Sequence, residues 1–116
     1  MAESGYHDCM ERLPKRYLRF FEEFPEVGQA YEAFGDAVGK SGPLDDKTRS
    51  LIKLAISIGA RMEGAAKSHV HKALQAGNSA EEIRQVAVMA APTIGFPNMM
   101  AGLSWVDDVL SEVPRG

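Results

Sequence analysis

Apolar residues recur at intervals of three and four along most of this chain, and no segment alternates convincingly with period two. That pattern predicts an all-α fold, a helical bundle of about six helices. In residues 10–24, Leu13, Tyr17, Phe20, Phe21 and Phe24 form one apolar side. Pro25 opens a second helix, since proline is tolerated in a first turn. Val27, Tyr31, Phe34 and Val38 mark its expected buried side, and Gly39 ends it. Asp45 is the expected N-cap of the third helix, with Asp46 favourably placed near its positive end. Leu51, Ile52, Leu54, Ala55, Ile56 and Ile58 cover most of that helix, which places it centrally.

The fourth helix, Met62 to Gly77, organises the rest. Met62, Ala65, Ala66, His69 and Ala73 share one side by spacing. His71 lies roughly 200° further round and is expected at the surface, as is His7. Gly77 supplies a left-handed stop. Ser79 followed by Glu82 reads as a capping box for a fifth helix from Ala80 to about Ala91, which Pro92 should bend or end. From near Pro97, Met99, Leu103, Val106, Leu110 and Val113 form a seam suited to a partner helix.

Composition narrows the function classes. A chain of 116 residues, 45% apolar and 25% charged, fits one globular domain. A net charge of −3 gives no general attraction to nucleic acid or anionic lipid. Arg12, Lys15, Arg16 and Arg19 interleave with aromatics, but Glu22, Glu23 and Glu26 cancel the local field, and a solvated helix face is the expected reading. Cys9, the single cysteine, permits no internal disulfide, no Cys-x-x-Cys pair and no structural zinc site. His69 and His71, two apart on a helix, cannot share a metal ion. The polar start MAESGYHDCMER reads as no signal peptide, and a cytoplasmic location is expected. The uncharged stretch from Val86 to Val106 could span a bilayer by length. Pro92, Gly95, Pro97 and Asn98 interrupt it, so two buried helices meeting at a corner are expected instead.

LDDKTRSLIKLAI at 44–56, His69 with KALQAGNSAEEI at 72–83, and GFPNMMAGL at 95–103 resemble the carboxymuconolactone decarboxylase family, related to the alkylhydroperoxidase D proteins. The likeness covers roughly residues 25–112, leaving 1–24 as an N-terminal helical segment and 113–116 as a tail. It implies protomers that assemble as trimers or hexamers, a small-molecule substrate, and no metal or organic cofactor. Nucleic-acid and membrane partners are not expected.

The peroxidase branch carries Cys-x-x-Cys-x-x-x-His plus an upstream glutamate. Matching its histidine to His69 puts Met62 and Ala65 at the cysteine positions and Ser50 at the glutamate position. Without a thiolate, dithiol peroxidase chemistry loses its nucleophile. The decarboxylase branch is similar in having serine within KTRSL and no cysteine pair. That branch often has acidic residues just before the histidine, where this chain has Gly64 and Ala65, and a tyrosine where it has Thr93.

The resemblance therefore implies a cofactor-free decarboxylase acting on a small carboxylated lactone or related acid. His69 is the candidate acid/base. Ser50, Arg49, Met62 and Ala65 are the candidate substrate-binding residues, with the Arg49 guanidinium suited to a carboxylate. Glu63 is expected to pair with Lys67 rather than join the site. Two alternatives remain: an antioxidant activity of the peroxiredoxin type, or a non-catalytic oligomeric ligand-binding protein. Gly64, Ala65 and Ala66 invite close backbone approach, and excess apolar surface favours a homo-oligomer.

Overall fold

The computed structural model describes residues 15–113. The described residues form seven helices and no strand. They are α1 (Lys15–Glu23), α2 (Pro25–Gly39), α3 (Asp46–Gly59), α4 (Glu63–Gln75), α5 (Ala80–Val88), α6 (Ala91–Ile94) and α7 (Phe96–Leu110). Leu13, His7 and Cys9 lie outside the described residues.

Local chemistry sets the boundaries. Asp45 caps α3 by accepting a hydrogen bond from the Thr48 N–H at 2.8 Å. The capping box on α5 is complete: Ser79 Oγ accepts from the Glu82 N–H at 3.0 Å, and Glu82 Oε1 accepts from the Ser79 N–H at 2.8 Å. After α4, Gly77 adopts φ 98° while the Gly77 and Asn78 N–H groups return to the carbonyls of Leu74 and Ala73. That is a Schellman stop. The same pattern closes α3, with the Arg61 and Met62 N–H groups reaching Ile58 and Ser57. Here the left-handed position, φ 59°, belongs to Arg61 rather than a glycine, so nothing in the residue types announced it. Pro92 falls in the one-turn helix α6, and Gly95 at φ 99° turns the chain into α7. The long apolar stretch is thus broken into the end of α5, the single turn of α6 and most of α7, and no described helix is long and apolar enough to cross a membrane.

The core is built by α3, α4, α5 and α7. Leu54 and Ile58 of α3 meet Ala66, Val70 and Ala73 of α4, Ile83 and Ala87 of α5, and Val106 and Val109 of α7. Leu103, Leu110 and Val113 pack against this cluster, so the expected seam of the last helix does face partners. Gly102 lies against Ile58, where an added Cβ would stand 2.7 Å from Cγ2. Ion pairs rim the core. Arg84 grips Asp107 through two bonds of 2.8 and 3.2 Å, and Lys67 bridges Glu63 and Asp108 at 3.0 and 3.4 Å. The expected Glu63–Lys67 pair is present, and its hydrogen bond raises the Lys67 pKa above the ordinary value.

Three expectations need correction. His71 is 1% exposed, among the largest fully buried side chains. A single buried face was assumed for α4, but the helix packs against both α3 and α7, so opposite sides are interior. Val27, Tyr31, Phe34 and Val38 are exposed rather than buried. α2 pairs with α1, where Gly28 meets the Phe21 ring, and its apolar stripe faces open space. Ile52, Ala55 and Ile56 of the central helix α3 are also exposed, so only part of its circumference is covered.

Replacing Gly102 by alanine forces a methyl group against Ile58 and should destabilise the protein by about 1–3 kcal/mol. Gly77→Ala should cost about 1 kcal/mol through backbone strain alone, because an added Cβ there meets nothing within 4 Å. Urea melts of the two variants read both values; a Gly102→Ala protein as stable as the parent would refute the tight α3–α7 contact.

Candidate functional site

α1 and α2 stand off from α3 and α4, and the space between the two pairs is a cleft of about 990 Å³. Regular spacing delivers residues to it. Arg49, Lys53, Ile56 and Ser57 lie on one side of α3, and His69, Lys72 and Gln75 on one side of α4. The opposite wall comes from α2, with Tyr31, Glu32, Phe34, Asp36 and Val38. Tyr17 and Phe21 of α1 close one end, and the Lys72 ammonium sits 5.1 Å from the Tyr17 ring centroid.

His69 is half-buried, and its Nδ1 is buried without a hydrogen-bond partner among the described residues. The same holds for Nε2 of Gln75. Burial pushes the His69 imidazole down to about 4, and the positive charges of Lys72 and Lys53 add to the effect. Its ordinary value near 6.5, the basis of the simplest acid/base reading, is therefore not retained; the ring is neutral at neutral pH. Neither Lys53 nor Lys72 makes an ion pair among the described residues, although Glu32 and Asp36 line the same cleft. A half-buried neutral ring with an unpaired atom thus lies near two cations that make no ion pair among the described residues.

The other sequence candidates are placed differently. Arg49 lines the cleft, but its guanidinium donates to the Leu44 carbonyl and the Asp46 carboxylate and packs against Gly39. It ties the end of α2 to the start of α3. Ser50 does not line the cleft: its hydroxyl donates to the Lys47 carbonyl and accepts from Asn78 Nδ2, both at 2.8 Å. Buried Asn78 also reaches the Ala73 carbonyl at 3.0 Å, so this group joins α3 to the end of α4. Met62, 55% exposed, and Ala65 share a helix side with His69 by spacing, yet neither lines the cleft. Sequence reasoning missed Lys53, Lys72 and Gln75. Two signals were readable: Lys72 lies one turn from His69, and Lys53 one turn from both Arg49 and Ser57.

Comparison with known proteins agrees with the helical pattern. The carboxymuconolactone decarboxylase family profile matches residues 25–108. The chain belongs to that family. A crystal structure of a carboxymuconolactone decarboxylase family protein from Legionella pneumophila, in its apo form, superposes with a TM-score of 0.69 at 21% identity. The match covers 92% of this chain and 96% of that one, and shows a shared fold. An uncharacterized protein of Haemophilus influenzae is 39% identical over 70 residues, which is 60% of this chain. That stretch spans 62% of the Haemophilus protein's length.

The depressed His69 pKa fixes the sign of a pH effect. The unfolded ring binds a proton near pH 6.5 and the folded ring only near 4. Its contribution to stability is therefore complete above pH 6.5 and is lost as pH falls through about 4. An NMR titration of the ring protons should give a midpoint near 4. The His69→Gln protein should lose less stability over the same acid range; a midpoint at the ordinary value would refute the buried placement.

Proposed function

We propose that this member of the family is a lyase that decarboxylates a small carboxylated lactone or related acid in the His69 cleft. The observation that carries this reading is the His69 Nδ1, unpartnered among the described residues, in one cleft with Lys53 and Lys72, which make no ion pair there. A carboxylate supplies the missing negative charge, and the Gln75 amide supplies a neutral donor. Family resemblance implies that no cofactor takes part.

In the reaction, the electron pair of the C–COO⁻ bond passes to carbon and is delocalised into the neighbouring carbonyl as carbon dioxide leaves. The carbon then takes a proton. His69 in the unloaded cleft is neutral and cannot give one. Burial is the larger cause of its low pKa and the charges of Lys72 and Lys53 the smaller one; an arriving anion offsets those two charges and so moves the ring toward protonation. Arg49 at the rim and Ser50 beyond it take supporting parts in this reading, holding α2, α3 and α4 in register.

Protomers are proposed to assemble as the trimer or hexamer that the resemblance implies. The surface that favours this is the corner from α5 to α7, where Val88, Met89, Phe96 and Met100 are exposed. Native mass measurement tests it.

The catalytic reading is tested by thermal shift against a panel of small lactones and carboxylic acids, followed by measuring carbon dioxide release. An acid at ~100 times its dissociation constant should stabilise the protein by about 2.7 kcal/mol. Binding should take up a proton, seen calorimetrically in buffers of different ionisation enthalpy. The His69→Gln variant should bind without that uptake and without turnover. Equal turnover in the variant would sink the proposal.

A further inference from the structure

One cleft wall gathers cations and the other carries an apolar stripe, and this asymmetry limits what can lie between them. Lys53, Lys72 and the His69 imidazole stand together on the α3 and α4 side. Tyr31, Phe34 and Val38 of α2, exposed at 53%, 67% and 46%, line the facing wall. A compact lactone acid held by the lysines would leave that apolar wall wet. The cleft volume of 990 Å³ is at the upper end of the roughly 300–1,000 Å³ usual for small-molecule sites.

Charge along α2 argues in the same direction. Glu32 and Asp36 line the apolar wall, and Lys40 beyond its end does not balance both. A ligand whose second carboxylate lay along α2 would meet like charge. From the charged end and the apolar wall together, we infer that the preferred ligand is an amphipathic monocarboxylic acid. Its carboxylate lies between Lys53 and Lys72, and its aliphatic or aromatic body runs along Tyr31, Phe34 and Val38. The inference rests on the acid-binding reading of the cleft and narrows it from any small acid to one with a substantial apolar body.

Calorimetric affinities of the full chain for butanoate, hexanoate and octanoate test this, with octanol and succinate as controls. Each added methylene should tighten binding by about 2–4-fold, since it leaves water for the α2 wall. Octanol should bind more weakly than octanoate, and succinate more weakly than hexanoate. Phe34→Ser, a change at an exposed position, should weaken octanoate by roughly 10-fold, as loss of a buried aromatic contact does, and leave butanoate unchanged. Lys53→Met should weaken all the acids alike.

Affinity independent of chain length, or a preference for succinate, overturns the inference while leaving the decarboxylase reading intact. Chain-length dependence that survives Phe34→Ser also overturns it, because the body then lies elsewhere. If Phe34→Ser changes the native mass and chain length has no effect, the stripe belongs to a second copy of the chain and the inference falls. Absence of binding by every one of these acids overturns the inference, and failure of the lactone panel as well refutes the decarboxylase reading.

Discussion

Close packing of α4 between α3 and α7 is the constraint on which the rest of this structure depends. It works because α4 presents alanine at two core positions, Ala66 and Ala73, which are fully buried along with Val70. Small side chains let the neighbouring backbones approach, and the larger Leu54, Ile58, Ile83 and Val106 fill the remaining space. Gly102 extends the same device to the α3–α7 contact. With α4 fixed on both sides, His69 has little choice of position. It sits on the shoulder of a buried helix, too deep to be well solvated and too near the edge to join the core.

That position explains the electrostatics of the cleft. A histidine on a solvated helix would retain its ordinary pKa beside two lysines, because water screens them. On the shoulder of α4 the solvent is largely gone, and burial is the first cause of the depressed value. The lysines make no ion pair among the described residues, while Arg84 of α5 and Lys67 of α4 are each paired with an aspartate of α7. Charges that hold a fold together are paired within it. Charges left unpaired around a half-buried titratable ring fit a visitor better than a structural duty.

Much of this was legible in the sequence and some was not, for physical reasons. The Asp45 cap, the Ser79–Glu82 box, the Gly77 stop and the α7 seam were readable because each is settled within a few residues. His69 stood out because a lone titratable group interrupted an apolar face. His71 was misplaced because periodicity finds one hydrophobic side of a helix and cannot see that a second side is also covered. The α2 stripe failed in the opposite sense: apolar spacing marks a face that prefers cover, and says nothing about whether this chain provides it. Ser50 drew attention through a family position, yet its hydroxyl is spent on Lys47 and Asn78, a bond that spans 28 residues and has no local signature. Lys53 and Lys72 were passed over because charged helix residues usually point to water; here they point into a cleft formed by helices far away in sequence.

The cleft itself follows from what separates α2 from the body of the protein. Left to the hydrophobic effect alone, Tyr31, Phe34 and Val38 would collapse onto Ile56 and the exposed side of α3. Polar contacts span the two walls at the ends. Arg49, fixed by Leu44 and Asp46, fills the space beside Gly39, and at the other end the Lys72 ammonium meets the Tyr17 ring. The cost is an apolar wall left in water. A chain of this size, with so small a core, keeps such a wall only where something else covers it. Because Lys72, which meets Tyr17 at one end of the wall, is also one of the two cations acting on His69, the occupant that satisfies one end of the cleft is the natural cover for the other.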